Sequence, residues 1–412
     1  MLDFRESKRG NLLSRIIKRE SNSAVVVLGQ NGEGKSRLLV DLINKAANYD
    51  YHNVIAVSTS PFDKFPIRKS FKEIKYNYIG VKGSGAGNSI LSLISSASLG
   101  LLKYNESNDG DIEKILDFLG SSSEVEYVFK LNLQASKIYK SKGASGGYTY
   151  SIKVVGSEEK HIDCSDEEYD MIVNYLHMLN KSVDNNKNFK VRLQIGKIAY
   201  IRNQYERTYD ISELVSLLLS FNLIKLIDFR IEKIDFGWMS LRLASSGEQC
   251  ILLSLLGIAA NISDNTLILI DEPEISLHPE WQEKYISLLM NIFERYQSCL
   301  FVIATHSPQI VSKLNPRGSY IYTIQNDELL DAYEYVKRSS DFQLASLFSA
   351  PGYKNEYLTR ILISFLTSPD EYIKNGRISD VKNIISLKGS LESSDPVLKL
   401  MDIASKVIAR IL

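Results

Sequence analysis

Cysteine is scarce in this 412-residue chain: Cys164, Cys250 and Cys299 are three in number and far apart. That count and spacing exclude a disulfide framework and a multi-cysteine zinc site, and Cys250 and Cys299 each adjoin an apolar run, as small core residues do. Net charge is missing too. Lys+Arg and Asp+Glu are 49 each, so no global field draws the chain to nucleic acid, and any such contact has to be a local patch. No apolar run reaches the roughly 18 residues that a membrane-spanning helix needs. The opening MLDFRESKRGNLL lacks the apolar core of a signal peptide, and the expected setting is a reducing cytoplasm. There is no internal repeat and no long heptad run, which excludes an extended coiled-coil arm. His52, His161 and His177 have no motif around them and read as ordinary surface or satisfied residues. What is present is 44% hydrophobic and 24% charged, a composition able to bury a large core in two or three domains or lobes.

Against that background, one stretch organises the chain: VVVLGQNGEGKS at 25–36. An apolar strand-like run stops at Gly29, and the turn Gln30, Asn31, Gly32, Glu33, Gly34 leads to Lys35 and Ser36. A helical pattern follows, with Leu38, Leu39, Leu42 and Ile43 on one face. Buried strand, glycine-rich turn, lysine, hydroxyl and helix make a phosphate-binding P-loop. Gly29, Gly32 and Gly34 let the backbone curl so that its N–H groups point inward. The helix start adds the positive end of its dipole. Lys35 is expected to reach the β- and γ-phosphates of ATP, and Ser36 to ligate Mg²⁺.

In chain order, residues 11–19 suit a short amphipathic helix and 53–58 a buried strand. The stretch SPFDKFPIRKSFKEIK interleaves Lys64, Arg68, Lys69, Lys72 and Lys75 with Phe62, Phe65 and Phe71. Such interleaving can bind nucleic acid, and it is more often a solvated face with buried rings. Residues 83–222 read as an inserted mixed α/β lobe of domain size. Helical patterns lie near 89–103, 111–119 and 167–179. Strands are expected at 124–133 and 147–155, joined by the turn SKGASGG, and at 191–196, preceded by a polar loop at 182–188. Further strands are expected at 223–231 and 238–243.

The chemistry-bearing residues gather after that point. The run LILI ends in Asp271 and Glu272. In a P-loop sheet such a strand is expected beside the first, so that Asp271 reaches the metal held by Ser36, and Glu272 orients or deprotonates the attacking water. Pro279 suits the first turn of a helix running to about residue 296. A third strand, CLFVIATH, ends in His306, placed to contact the γ-phosphate or the water and so to sense ATP. Between these strands lies Ser245-Ser246-Gly247-Glu248, opening an apolar helix. From these four residues alone, an anion site at a helix N-terminus and a plain helix N-cap read equally well.

As a set, GQNGEGKS, ASSGEQ, LILIDEPEISLHP and ATHSP resemble the ABC-type ATPases, in the branch that includes the SMC and RecF proteins and the overcoming-lysogenization-defect ATPases. The Asp-Glu-Pro-Glu-x-x-Leu-His-Pro form is similar to the last of these, which serve in bacterial anti-phage systems. The resemblance implies a P-loop NTPase with an ABC-type head. Its core would comprise residues 1–82 and 223–336, interrupted by the lobe at 83–222 and followed by a helical region at 337–412. It also implies that Ser245, Ser246, Gly247 and Glu248 form a signature loop that caps the γ-phosphate held by a second copy, with Ser245 and Gly247 in contact and Glu248 shaping the loop. Ser276, Leu277 and His278 would then occupy the dimer-contact position. Ser246 departs from the pattern, standing where the family has glycine.

The tail after His306 has no Asp-x-Asp pair of the kind a metal-dependent nuclease domain needs. It carries apolar helical stripes instead, such as Leu358, Ile361, Leu362, Phe365 and Leu366. No nuclease activity is expected in this chain. The layout resembles the Septu-type ATPase, found alone or with retrons, which works with a separate HNH nuclease. The first expectation is therefore an ATPase that controls an effector nuclease in phage defence, with DNA or a retron RNA–DNA as a further partner through the basic patch. A RecF- or SMC-like repair ATPase and a nucleotide-gated scaffold with little turnover are the alternatives.

Overall fold

The computed structural model describes residues 21–29, 32–60, 62–67, 70–80, 82, 109–131, 133–142, 148–154, 160–162, 165–182, 184–186, 188–194, 200–202, 208–221, 223–275, 277–314, 318–336 and 338–411. The helices expected at 11–19 and 89–103 lie outside them, as do Gln30, Asn31, Arg68, Lys69 and Ser276.

The chain begins with β1 (Ser23–Leu28), α1 (Lys35–Lys45), β2 (Asn53–Ser58) and β3 (Lys75–Gly80). Next come α2 (Asp109–Phe118), β4 (Ser121–Leu131), β5 (Leu133–Lys142), β6 (Tyr148–Val154), β7 (Lys160–Ile162), α3 (Asp166–Ser182) and β8 (Asn188–Gln194). A short pair, β9 (Tyr200–Arg202) and β10 (Thr208–Asp210), precedes α4 (Ile211–Ser220), β11 (Ile224–Lys233), β12 (Gly237–Ser240) and α5 (Ser246–Ala259). The chain then runs through β13 (Thr266–Asp271), α6 (Pro279–Ile292), β14 (Leu300–Thr305), α7 (Pro308–Ser312), β15 (Ser319–Thr323) and β16 (Glu328–Asp331). It closes with α8 (Ser340–Ser346), α9 (Glu356–Thr367), α10 (Pro369–Lys374), α11 (Ile378–Ser386) and α12 (Val397–Ile411).

Two compact units result, one of residues 1–78 with 263–412 and the other of 79–262. The fold is mixed α/β. A seven-stranded sheet runs in the order β16-β15-β1-β14-β13-β2-β3, and the pairings of β1, β14, β13, β2 and β15 with one another are parallel. Strands β1, β2, β13 and β14 are buried at every position, which is why they read as unbroken apolar runs rather than alternating ones. On one face Val25, Val27, Val54, Ala56, Leu267, Leu269, Val302 and Ala304 pack with Leu38, Leu39, Leu42 and Ile43 of α1. Phe301, on a strand shared with that core, stacks on Phe293 just past α6, with ring centroids 6.3 Å apart. The C-terminal helices form their own core around Leu358, Leu362, Phe365, Val381, Ile384 and Met401. The helical character expected for the tail is observed there.

The second unit is built on an antiparallel sheet, β12-β11-β4-β8. Val125, Tyr127, Phe129, Val191, Phe229 and Ile231 are buried. Glu126, two residues from both Glu124 and Val128, is gripped by Arg192 at 2.8 Å, Arg230 at 3.2 Å and Lys190 at 3.4 Å. Three sequence expectations are corrected here. The hairpin partner of β6 is β5, Leu133–Lys142, while β4 pairs with β8 and β11. β5 reads LQASKIYKSK, too polar to show as a strand by hydropathy. The polar stretch 182–188 is not all loop: it holds the last residue of α3 and the first of β8. And α6 stops at Ile292 rather than near 296. The unit boundary also falls elsewhere than the motif spacing suggests, because β11 pairs along β4 and α5 packs on α2, so that residues 223–262 group with this unit. Among the described residues no helix is long and apolar enough to cross a membrane.

Candidate functional site

The site grows from the end of β1. Gly32 and Gly34 have φ values of 84° and 97°, left-handed conformations that a side chain would strain. Gly34 is the N-cap of α1, so the helix begins directly at Lys35 and Ser36 with its free N–H groups at the turn. Over this turn Glu33 reaches back: a Cβ on Gly29 would come within 2.8 Å of Glu33 Oε2. The other oxygen of Glu33 accepts a hydrogen bond from Gln325 Nε2 at 2.7 Å. Lys35 is only 5% exposed. Its Nζ donates to Gly29 O at 3.0 Å and meets His306 Nε2 at 2.6 Å. Burial lowers the Lys35 pKa, while Glu272, Asp271 and Glu274 pull it back up.

The strand carrying Asp271 does not lie beside β1, contrary to expectation. β14 stands between them, paired to β1 on one side and to β13 on the other. The first turn of α1 spans that gap, and Ser36 hydrogen-bonds the Asp271 carboxyl. Asp271 is 4% exposed, and its Oδ1 is buried without a hydrogen-bond partner. Burial pushes its pKa up to about 6, with Glu272 and Asp63 adding to the rise. Glu272 follows with φ at 50°, while its N–H donates to Ala304 O at 2.9 Å. That left-handed turn directs its carboxylate to His306, with Oε1 3.1 Å from Nε2. The same ring nitrogen therefore faces an ammonium and a carboxylate. It accepts from Lys35 when the proton sits on Nδ1, and donates to Glu272 when protonated; it cannot do both at once. Burial first, and Lys35 second, hold the His306 pKa below its usual value, which favours the neutral ring.

A second layer holds these groups. Glu274 Oε1 accepts the His306 backbone N–H at 2.5 Å, and burial raises the Glu274 pKa. Gln282 on α6 donates to Leu277 O at 3.0 Å and accepts from Ser307 Oγ at 2.6 Å. A cavity of about 270 Å³ opens beside the P-loop, lined by Gly29, His306, Gln325 and the apolar Leu344, Leu347 and Phe348. The structure thus brings together Gly29, Lys35, Ser36, Asp271, Glu272 and His306. Sequence reasoning missed Glu274, Gln282, Gln325 and Asp63. Only Glu274 carried a signal, standing inside the DEPE motif three residues after Asp271.

Ser245 to Glu248 belong to the second unit. Here the N-cap reading is realised in full. Ser245 Oγ accepts from Glu248 N at 3.3 Å, and Glu248 Oε2 accepts from Ser245 N at 2.9 Å. Lys233 Nζ anchors the other oxygen of Glu248 at 2.9 Å. Ser245 and Ser246 are exposed and Gly247 is buried. Past β13, Leu277 is buried, and His278 is exposed and caps α6. In the basic stretch Phe65 is in the core and Phe71 packs against it. Phe62 is 84% exposed, and Lys64, Lys72 and Lys75 are exposed.

Comparison with known proteins adds a family-level likeness. The family model described as "AAA domain, putative AbiEii toxin, Type IV TA system" matches residues 177–312, a stretch that contains Ser245–Glu248, Asp271, Glu272 and His306 but not the P-loop. The chain is 30% identical over 149 residues to the "Retron Ec83 probable ATPase" of Escherichia coli, a match covering 32% of this chain and 26% of that protein. The chain thus spans about a quarter of the length of that relative. Among solved structures it is similar to UvrA2 from Deinococcus radiodurans, at 13% identity and a TM-score of 0.29, covering 80% of this chain and 37% of that one. It is also similar to the SMC head domain from Thermotoga maritima, at 16% identity and a TM-score of 0.19, covering 66% and 86%.

Proposed function

We propose that this chain is an ATPase that binds ATP with Mg²⁺ at the P-loop and hydrolyses the terminal phosphate. One observation carries the reading. At the ends of β1, β14 and β13, a buried lysine, a helix-start serine, two carboxylates and a histidine converge: Ser36 hydrogen-bonds Asp271, and Lys35 Nζ and Glu272 Oε1 both stand within 3.1 Å of His306 Nε2. The residues fit a divalent cation. Asp271 Oδ1 is buried without a partner, and its neighbour Ser36 offers the hydroxyl that such an ion takes. When bound, Mg²⁺ would neutralise phosphate charge. Ser36 and Asp271 would hold it. The N–H groups from Gly29 to Ser36, including those of Gln30, Asn31 and Glu33, would cradle the phosphates. Lys35 would exchange its contact with His306 for the β- and γ-phosphates. Glu272 would orient the attacking water and accept its proton, and His306 would hydrogen-bond the γ-phosphate or that water.

Under the same proposal a second copy completes the site. Its exposed Ser245 and Ser246 would face the γ-phosphate, with the helix-start N–H groups of Ser246 and Gly247 as the donors and Glu248 bracing the loop through the Ser245 N–H. The match to a retron probable ATPase supports an association with a retron, and the motif resemblance extends the proposal to a role in anti-phage defence beside a separate HNH-type nuclease. Phe62, Lys64, Lys72 and Lys75 offer a local surface for DNA or a retron RNA–DNA. The primary test is turnover. Purified protein with ATP and Mg²⁺ is expected to release phosphate, and Glu272→Gln to stop release while keeping ATP bound. Undiminished release by Glu272→Gln would overturn the assignment.

A further inference from the structure

The two carboxylates of the DEPE segment do different work, and the second one points to a role that the hydrolysis scheme does not use. The ladder between β13 and β14 ends at Asp271 opposite Ala304, and the ladder between β1 and β14 ends at Leu28 opposite Thr305. His306 is the first residue past both. Its backbone N–H has left the sheet, and a buried N–H without an acceptor costs about as much as a lost hydrogen bond. The acceptor is supplied by a side chain, Glu274 Oε1 at 2.5 Å. The bond is short. Glu274 is itself held by its own turn, because Leu277 N donates to Glu274 O at 3.0 Å. Gln282 then joins that turn to Ser307, the residue after His306. The loop after β13 and the loop after β14 are thereby fixed to each other at one point, the peptide that carries the imidazole.

We infer that Glu274 is a positioning residue: by accepting the His306 N–H it sets where the imidazole stands between Lys35 and Glu272. This rests on the ATPase reading for its kinetic consequence, but the positioning itself is a statement about His306 alone. Glu274 touches neither the phosphates nor the water in this scheme. Its removal acts on the catalytic step through His306 and leaves nucleotide binding intact. The hydrogen bond needs an acceptor oxygen at that point, not a negative charge, so glutamine serves where alanine does not.

The test uses the full chain with Glu274→Ala, Glu274→Gln, His306→Ala and the Glu274→Ala/His306→Ala pair. A nitrogen-15 histidine spectrum without nucleotide reads the ring, with His306 assigned by its loss in His306→Ala. Glu274→Ala is expected to move the His306 ring signals, and Glu274→Gln to leave them near their wild-type positions. In turnover, Glu274→Ala is expected to lower kcat roughly tenfold or more with ATP affinity within about threefold. Glu274→Gln restores most of the rate. In the His306→Ala background, Glu274→Ala has no further effect, as coupled residues require. Unmoved ring signals in Glu274→Ala, or the same loss of kcat whether or not His306 is present, would overturn the inference. So would a glutamine variant as impaired as alanine but with an unchanged melting temperature. A wild-type chain that hydrolyses nothing would defeat the ATPase reading and leave the spectral result standing on its own.

Discussion

Asp271 is the residue whose environment most restricts the site. Its carboxyl is buried beside Glu272 and Asp63, and its pKa rises from 3.8 to about 6. The raised value means that the native state keeps the proton longer than the unfolded chain does. The contribution of Asp271 to stability therefore falls as pH climbs from about 4 to about 6 and is flat above. In the metal-free protein the ionised carboxyl costs about 3 kcal/mol above that window. Asp271→Asn is accordingly expected to raise the melting temperature of the nucleotide-free protein at neutral pH, with a margin that shrinks as the pH falls through the same window, and to abolish Mg²⁺-dependent turnover. A variant that melts with or below wild type at neutral pH would contradict this account. Lys35→Ala should remove ATP binding, read by titration with a fluorescent ATP analogue; unchanged affinity would sink the P-loop assignment. At this scale the sequence was most legible. Asp271, Glu272 and His306 stand at the ends of apolar runs, where a run that stops at a polar residue marks a strand's end, and Lys35 and Ser36 follow the glycine-rich turn that ends another. Gln325 was invisible, because nothing in its neighbours indicates that the chain after β15 returns to Glu33.

The helix that opens at Ser245 has an observed role and a proposed one in the same loop. As a capping box it stabilises α5, and loss of the serine side chain costs about 1 kcal/mol. As a phosphate lid it must present N–H groups and no negative charge. Ser245→Asp separates the two, since aspartate caps a helix as well as serine does. The expected outcome is hydrolysis lost with a small drop in melting temperature, since aspartate cannot donate to Glu248 Oε2 as the Ser245 hydroxyl does at 3.0 Å, and full activity would count against the lid. In the C-terminal helices, Leu362→Ala should lower stability by about 2–5 kcal/mol, as for other fully buried leucines, and an unfolding midpoint within error of wild type would exclude that core. Elements with one strong period were legible: β1, β2, β13, β14 and the tail helices. The hairpin of β5 and β6 was not legible because β5, LQASKIYKSK, mixes lysine, serine and glutamine among its apolar residues without a regular alternation. Strand neighbours were not legible at all, since the order of motifs along the chain does not reveal that β14 separates β1 from β13.

In the whole molecule, the P-loop and the Ser245 loop belong to different compact units, and each is an incomplete half of the proposed site. Under the proposal two chains meet to complete it, one giving Lys35, Ser36, Asp271, Glu272 and His306 and the other giving Ser245 to Glu248. A closed symmetric dimer would pair the two halves twice over. Two dead variants test this most directly. Lys35→Ala keeps the lid and loses the cradle; Ser245→Arg keeps the cradle and blocks the lid. Steady-state phosphate release is measured for each alone and for an equimolar mixture. The account predicts no release from either variant and recovered release from the mixture, because mixed dimers regain one intact site. Full activity of Ser245→Arg alone, or a mixture as inactive as its components while light scattering shows that the two variants have associated, would contradict it.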